Sequence, residues 1–253
     1  MAPALRPVGS RSRPEARVAV TQSPRPRLTI LMPVFNERTT VQAAIKDALG
    51  ADLPVSSREL VIVDDASTDG TRELLEAATL PDNVQLYFHA RNAGKGAAVR
   101  TALSHATGEF TAILDADLEY RASDLDVLLA PMLSGEANVV FGTRMWSSHA
   151  AFSFWYVMGN KAVTLAMNVI YNCWISDVMT CHKAMSTDLF RSLTLRERGF
   201  AIEPEIAARV LRAGERIYEV PISYRARSRE EGKKLTALDG LRVLRTLVRC
   251  RIG

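Results

Sequence analysis

Two aspartates, Asp115 and Asp117, close an apolar run that begins at Phe110 and has the composition of a buried β-strand. Side chains two positions apart on an extended strand point to the same side, so the two carboxylates are expected to face one ligand. Carboxylate oxygens are the preferred ligands of hard divalent cations, which also bind diphosphate groups. The spacing therefore predicts a shared cation site at a strand end, and a solvated acidic turn is the alternative interpretation.

A second acidic strand end lies upstream, where the apolar run 60–63 is followed by Asp64 and Asp65. Open α/β sheets bind their ligands at the carboxyl ends of the strands. Two strands of one sheet that both end in carboxylates predict a charged ligand across their ends.

The composition predicts one globular domain without a zinc site. Hydrophobic residues make up 47% of the 253-residue chain, which is enough for a substantial core. The cysteines and histidines show neither paired nor metal-type spacing, and an odd cysteine count favours a reducing cytosol. These residues are Cys173, Cys181, Cys250, His89, His105, His149 and His182.

The net charge of +4 is unevenly distributed along the chain. Segments 1–27 and 225–253 carry +5 and +6, which leaves −7 for residues 28–224. An acidic middle argues against a nucleic-acid groove through the main domain, whereas basic ends fit contact with an anionic surface. The first 27 residues contain five prolines and little apolar content, so they are predicted to be a disordered basic tail; their composition also resembles a transit peptide.

Short apolar runs alternate with helical periods from Leu28 onward. This alternation predicts an α/β nucleotide-binding architecture with a parallel sheet and right-handed crossovers. The predicted strands are 28–35, 59–64, 84–89, 110–115 and 138–142, followed by a returning strand 180–186 and a last strand 217–224. The predicted helices are about 38–50, 70–79, 94–106, 123–134 and 203–213.

The segment 151–175 is apolar, with Lys161 as its only charge, and is long enough in principle to span a bilayer. However, a polar residue recurs at every fourth position, which forms one polar stripe on the helix. The stripe consists of Asn160, Thr164, Asn168 and Asn172. It favours either a buried core helix or a helix that faces a membrane surface or an acceptor groove over a membrane-spanning one.

The final segment, 235–253, is predicted to be a basic amphipathic helix. Leucine and valine side chains share one face, and arginines occupy the rest of the surface. Such a helix rests well on anionic lipid, since each cation near the surface contributes about 1 kcal/mol. Packing on the domain surface is the alternative.

Five motifs occur in the order found in family 2 glycosyltransferases. They are 32–37 (MPVFNE), 63–71 (VDDASTDGT), 92–96 (NAGKG), 115–117 (DAD) and 231–234 (EGKK). The chain most resembles the polyprenyl-phosphate (dolichol-phosphate) mannosyl- and glucosyltransferases over residues 28–250. This resemblance implies the GT-A fold over residues 28–234, with a Rossmann-like, mostly parallel sheet and a helical, acceptor-side C-terminal part.

The resemblance implies a divalent metal, Mg²⁺ or Mn²⁺, bound by Asp117 beside the diphosphate of a nucleotide sugar. Asp115 and Ala116 then lie next to the ribose and diphosphate. Glu119 stands where relatives often carry glutamine, and it adds negative charge if it joins Asp115 and Asp117 around the metal.

The resemblance also implies a pocket for the nucleotide's base and ribose at the end of the first two strands. Its residues are Pro33, Phe35, Glu37, Val63 and Asp65. Asp65 can accept a hydrogen bond from the ring N–H of either uracil or guanine, so it does not choose between them. Phe35 replaces the tyrosine common in the mannosyl enzymes, which keeps stacking but loses a phenolic hydrogen bond.

Cationic residues complete the implied donor site. Arg144 matches an arginine that approaches the sugar phosphate in relatives. Arg227 or Arg229, together with Lys234, matches a basic loop that closes over the diphosphate and excludes water. Lys95 lacks the spacing of a phosphate-binding loop and is interpreted as structural.

Asp177 lies where relatives keep an acceptor-side aspartate. A base, an orienting group and a helix cap are all compatible with its position; an orienting role is preferred, because an anionic phosphate acceptor needs no base. Glu203 and Glu205 follow at a helix start.

The sequence therefore predicts an inverting, metal-dependent transfer of one sugar from UDP-glucose or GDP-mannose to polyprenyl phosphate. The enzyme is expected at the cytoplasmic face of the membrane. The alternatives are a soluble transferase with a small phosphorylated or hydroxyl acceptor and a non-catalytic nucleotide- or cation-binding α/β protein.

Overall fold

The computed structural model describes residues 26–145, 154–226 and 237–252. Its centre is a seven-stranded sheet in the order β3-β2-β1-β4-β6-β5-β7. The strands are β1 (Arg27–Val34), β2 (Ser57–Asp64), β3 (Val84–Phe88), β4 (Phe110–Ile113), β5 (Val139–Thr143), β6 (Lys183–Ser186) and β7 (Tyr218–Pro221). All ladders are parallel except those of β6 with β4 and β5, so the prediction of a mostly parallel sheet is confirmed.

The helices lie on both faces of this sheet. They are α1 (Val41–Gly50), α2 (Thr71–Glu76), α3 (Lys95–His105), α4 (Leu125–Leu133), α5 (Phe154–Tyr171), α6 (Thr187–Ser192), α7 (Ile202–Arg212) and α8 (Ala237–Ile252). The predicted helices have counterparts among them, whereas the short α6 was not predicted.

The central strands are buried on both faces, which is why they read as continuous apolar runs. One core contains Val99 of α3, Met167 of α5, Ile206 of α7 and Leu247 of α8. The other core, on the opposite face, packs α1 and α4 against the sheet. The two layers fix the carboxyl ends of β1, β2 and β4 at one edge of the molecule.

Strand β4 is shorter than predicted. It ends at Ile113, so Asp115 and Asp117 lie in the following loop rather than on the strand. The side-chain alternation of a strand therefore does not orient them. Leu118, directly after the pair, adopts a φ of 59°, a left-handed conformation that turns the chain sharply.

Helix α5 buries Val163 and Met167 in the core, as the buried-helix interpretation predicted. Its polar stripe serves the chain itself: the amide of Asn168 bonds both the N–H and the carbonyl of Ile175, and the Thr164 hydroxyl accepts from Val178 N. The stripe thus holds the segment that returns the chain to β6. Within the residues that the structure describes, no helix combines the length and apolar character needed to cross a membrane.

The basic tail predicted for 1–27 lies outside the described residues except for Pro26 and Arg27. The predicted cationic lid, with Arg227, Arg229 and Lys234, also lies outside them.

Candidate active site

A cavity of about 320 Å³, here called the main cavity, opens at the carboxyl ends of β1, β2 and β4. It brings together most of the predicted site residues, from three strand ends and from the loop after β5. Those residues are Pro33, Phe35, Glu37, Asp65, Asp115, Ala116, Asp117, Glu119 and Arg144. Residues from motifs more than a hundred positions apart in the sequence thus line one cavity.

The loops that follow β1 and β2 are joined by hydrogen bonds beside the cavity. The Asn36 side chain accepts from Thr68 N at 2.8 Å, and the Ser67 hydroxyl accepts from Asn36 N at 2.9 Å. Thr71 extends the junction by accepting from Glu37 N at 2.9 Å. These contacts hold Phe35 and Glu37 at the cavity wall.

Asp65 connects three segments at the cavity edge. Its Oδ1 lies 2.6 Å from His89 Nδ1 and accepts from Ala93 N, while Oδ2 accepts from Gly94 N at 2.7 Å. The buried carboxylate thereby positions the loop before α3. Since each oxygen already accepts a bond, a nucleotide base would have to use a remaining lone pair.

Lys95 lies at the centre of a buried ionic network. Its Nζ is 2.7 Å from Asp115 Oδ2 and 2.9 Å from Glu203 Oε1, and Glu203 Oε2 is 2.5 Å from Lys183 Nζ. Burial opposes the charge of Lys95, but Asp115 and Glu203 outweigh it and raise its pKa well above the ordinary value. Burial likewise opposes ionisation of Glu203, yet the two lysines lower its pKa. Lys95 is therefore a permanent cation at the cavity wall.

The start of α3 is not a phosphate-binding loop. The N–H groups of Gly96 and Ala97 both donate to the carbonyl of Arg198, at 2.6 and 3.2 Å. A Cβ at Gly94 or Gly96 would collide with backbone carbonyls of residues 197–198. The structure thus explains both glycines by close approach of a second loop, in agreement with a structural role for this motif.

The acidic loop after β4 has the chemistry of a divalent cation site. Asp115 Oδ1 is buried and has no hydrogen-bond partner among the described residues, and Asp117 lines the same cavity. Glu119 instead receives a 2.8 Å hydrogen bond from the Tyr224 hydroxyl. Within the described ranges, no three acidic, histidine or cysteine side chains form a ready cluster for a metal. The two aspartates fit Mg²⁺ or Mn²⁺ provided that diphosphate and water oxygens supply the remaining ligands.

Arg144 is held rigidly on the opposite wall. Its Nε and one terminal nitrogen donate to the two oxygens of Asp177 at 2.6 and 2.7 Å, and its guanidinium lies 4.9 Å from the Tyr224 ring centroid. Asn160 donates a further bond to Asp177 at 3.1 Å. Burial raises the pKa of Asp177, but Arg144 and Asn160 outweigh this and lower it below the ordinary value. An ionised carboxylate with these partners is compatible with the predicted orienting role of Asp177, which stays a prediction.

Two predicted residues lie away from the cavity surface. Val63 is fully buried in the core formed with α3, and Asp177 lies behind Arg144. The cavity also contains residues to which the sequence assigned no role there. They are Val34, Asn92, Gly94, Lys95, Ala98, Tyr120, Met179, Cys181, Gly199, Phe200, Glu203 and Tyr224. No spacing signal in the sequence connects Tyr224 with Glu119.

Comparison with known proteins agrees with this arrangement. Residues 29–194 match the domain described as Glycosyl transferase family 2, which covers more than half of the chain. The chain belongs to this family. Membership in a glycosyltransferase family supports the predicted enzyme over the alternative of a non-catalytic binding protein.

Family 2 relatives include glycosyltransferase AglJ of Haloferax volcanii, which is 30% identical over 196 residues, 77% of this chain and 62% of the relative. The low-salt glycan biosynthesis hexosyltransferase Agl6 of the same organism is 27% identical over 211 residues, 81% of this chain and 49% of the relative. The chain thus spans less than two thirds of the length of either protein.

Among solved structures, glucosyl-3-phosphoglycerate synthase of M. tuberculosis superposes with a TM-score of 0.66 and 21% identity, covering 89% of this chain and 80% of that one. The same enzyme in complex with Mn²⁺, UDP and glucosyl-3-phosphoglycerate gives a TM-score of 0.64, 21% identity and coverages of 89% and 80%. This likeness confirms the predicted GT-A fold of the family 2 chain.

Proposed function

We propose that this enzyme transfers one sugar, with inversion, from UDP-glucose or GDP-mannose to a polyprenyl phosphate. The observation that carries the proposal is one strand-end cavity lined by Asp115, Asp117, Lys95 and Arg144, in which Lys95 is bound to Asp115. A nucleotide-sugar donor suits this cavity. Its negatively charged phosphates would contact the metal ion held by the carboxylates and the fixed cations of the protein. The donor and metal are supported by neighbours solved with UDP and either Mn²⁺ or Mg²⁺.

The reaction barrier lies in the charge that develops on the departing nucleoside diphosphate. A divalent cation bound to Asp117 supplies positive charge to that diphosphate. Arg144 needs little reorganisation to contribute, since Asp177 and Tyr224 already hold its guanidinium. The predicted lid residues Arg227 or Arg229 and Lys234 then close over the diphosphate and exclude water.

A lipid acceptor is supported by exposed apolar side chains on α5, in the turn after it and on α8. The side chains of Leu165, Val169 and Trp174 are 63%, 74% and 89% exposed. Helix α8 packs beside α5 through the Tyr171 hydroxyl, which donates to Leu247 O, and its Ile252 is 81% exposed. Apolar side chains together with the arginines of α8 suit peripheral contact with an anionic cytoplasmic membrane face.

A small phosphorylated acceptor is the second candidate. It is supported by solved neighbours that are glucosyl-3-phosphoglycerate synthases, several of them in complex with phosphoglyceric acid. An acceptor of either size that attacks through an ionised phosphate or carboxylate oxygen needs no protein base, whereas attack through a hydroxyl group must release its proton to a base.

The test is a radiolabel transfer assay with the purified chain, UDP-glucose and GDP-mannose in parallel, and Mn²⁺, Mg²⁺ or chelator. Polyprenyl phosphate and 3-phosphoglycerate serve as alternative acceptors. Metal-dependent label in the organic phase is expected; label in a phosphorylated water-soluble product would establish the second candidate. Asp117→Asn should abolish transfer, whereas the matched change Asp126→Asn on the exposed side of α4 should not. If neither donor is consumed, the proposed reaction is wrong.

A further inference from the structure

A second cavity, of about 430 Å³, lies between the loop 194–201 and α8. Its described lining is Arg196, Glu197, Arg198, Gly199, Phe200, Ala201 and Arg242. We propose that this arginine cavity binds a phosphoryl group.

The backbone of the loop is fixed by internal contacts. The buried carboxylate of Glu205 accepts from Arg196 N at 2.9 Å and from Glu197 N at 2.6 Å. On the other side, the Arg100 guanidinium donates to the Glu197 carbonyl, and the first N–H groups of α3 donate to the Arg198 carbonyl. The side chains of Arg196 and Arg198 therefore start from a rigid frame, which lowers the entropy lost when they bind a ligand.

The charge of this cavity is strongly positive. Its described lining contains three guanidinium groups and a single carboxylate, that of Glu197. That carboxylate is already compensated, because its Oε1 accepts from the Thr246 hydroxyl at 2.9 Å and from Arg249 at 2.6 Å. The two loop arginines, Arg196 and Arg198, thus bring positive charge to the cavity that Glu197 does not offset.

Guanidinium groups bind phosphate oxygens through paired N–H donors, which gives directional bonds stronger than those of neutral donors. The two loop arginines, in a cavity of this size, suit a phosphate monoester or diester with part of its attached group. The loop contributes further through Gly199 and Phe200, which line the arginine cavity and the main cavity alike. A phosphoryl ligand here lies directly beside the donor site.

The role of this site is inferred from its position and rests on the proposed function. Transfer to a phosphate-bearing acceptor, or transfer at an anionic membrane, places phosphoryl groups at the edge of the main cavity. The phosphoryl group belongs either to a lipid headgroup or to a free phosphorylated molecule, and the chemistry that recognises it is the same.

Isothermal titration of the full chain with inorganic phosphate, in the absence of nucleotide, tests the site. We expect saturable binding that Arg196→Ala and Arg198→Ala each weaken by about tenfold, the loss of one charge-assisted contact. Arg242→Ala tests the opposite wall from a different element. Arg216→Ala, an exposed arginine between α7 and β7, is the matched control and should bind like the unmodified chain. Equal binding by all four variants, or an equal loss in the control, would overturn the proposal.

Sedimentation with vesicles distinguishes the two sources. If vesicles of phosphatidylcholine with anionic phosphatidylglycerol bind the unmodified chain but not the Arg196→Ala/Arg198→Ala variant, the ligand is a headgroup. If the double variant loses phosphate binding but sediments normally, the ligand is a free phosphorylated molecule. UDP binding, measured separately with Mn²⁺, reports on the main cavity, so a failed donor site and a failed phosphoryl site give different results.

Discussion

Lys95 and Asp115 form a 2.7 Å salt bridge whose side chains are only 9% and 14% exposed. The same ammonium group contacts Glu203, which Lys183 also contacts from the interior. The acidic loop after β4 is therefore connected to the core through an alternating series of charges. Such a series stabilises one orientation of Asp115, because each member loses its compensation if a neighbour moves.

Replacing Lys95 with methionine should impair both activity and stability. The change keeps the side chain's length but leaves Asp115 and Glu203 with one fewer cation in a buried setting. Breaking a buried ion pair costs about 3 to 5 kcal/mol, and we expect a loss of that order in urea unfolding. Transfer activity should fall by more than about tenfold. Lys46→Met, on the exposed face of α1, is the control, and equal effects of the two changes would contradict the assignment.

The Asp177→Asn variant distinguishes an orienting role of Asp177 from a role as a general base. The folded pKa of Asp177 lies below its ordinary 3.8, so its ion pair with Arg144 stabilises the protein above that value. The stabilisation is lost only as pH falls through the lowered folded pKa. Between about pH 5 and 9 the variant should therefore lower kcat by a constant factor of about 10 to 100. If the substitution removes an inflection from the pH profile, Asp177 acts as the base.

His182 should make stability depend on pH. Burial lowers its pKa to about 4, and the ring stacks on Tyr120 with Nδ1 3.2 Å from the Ile113 carbonyl. The unfolded chain binds a proton near pH 6.5 and the folded chain does not, so stability falls as pH drops from 6.5 towards 4. This group alone should cost about 2 kcal/mol between pH 7 and pH 5. Denaturant unfolding at both values measures it, and His182→Gln should flatten the dependence; an unchanged slope would contradict the assignment.

Gly96→Ala should perturb the main cavity, although Gly96 does not line it. The added Cβ collides with the Glu197 carbonyl, a backbone atom that Arg100 also holds. The loop 194–201 must shift, and with it the cavity residues Gly199 and Phe200. We expect destabilisation by about 1 to 3 kcal/mol and weaker UDP binding.

Gly159→Ala provides the matched helical control. Among the described residues, no atom lies within 4 Å of the position that its Cβ would take. The variant should be as stable as the unmodified protein or gain up to about 1 kcal/mol, because alanine favours helix. Similar melting temperatures for the two variants would show that the contact at Gly96 is not decisive.

Most of the sheet was predictable because its strands are continuous apolar runs that end in polar residues. Asp65, Asp115, Asp117 and Arg144 were recognisable for the same reason, since each directly follows a strand or its short loop. The sequence analysis wrongly extended β4 through Asp115. The turn after Asp117 places Leu118 in a left-handed conformation, which a leucine in the sequence does not predict.

Contacts between distant segments were beyond the sequence pattern. Tyr224 bonds Glu119 across 105 positions, and Gly96 donates to Arg198 across more than a hundred. The polar stripe of α5 was visible, but the use of Asn168 to hold the returning chain depends on a turn in three dimensions. Such partners follow from packing, which periodicity alone does not encode.

The antiparallel strand β6 divides the sheet into two parts that also differ along the chain. Strands β3, β2, β1 and β4 come from the first 113 residues, and the ladder to the later strands consists of β4 with β6. The first part carries Phe35, Asp65 and Asp117, whereas Arg144 comes from the second. Neither part of the sheet alone therefore contains the whole main cavity, because its three aspartates follow the early strands and Arg144 follows β5.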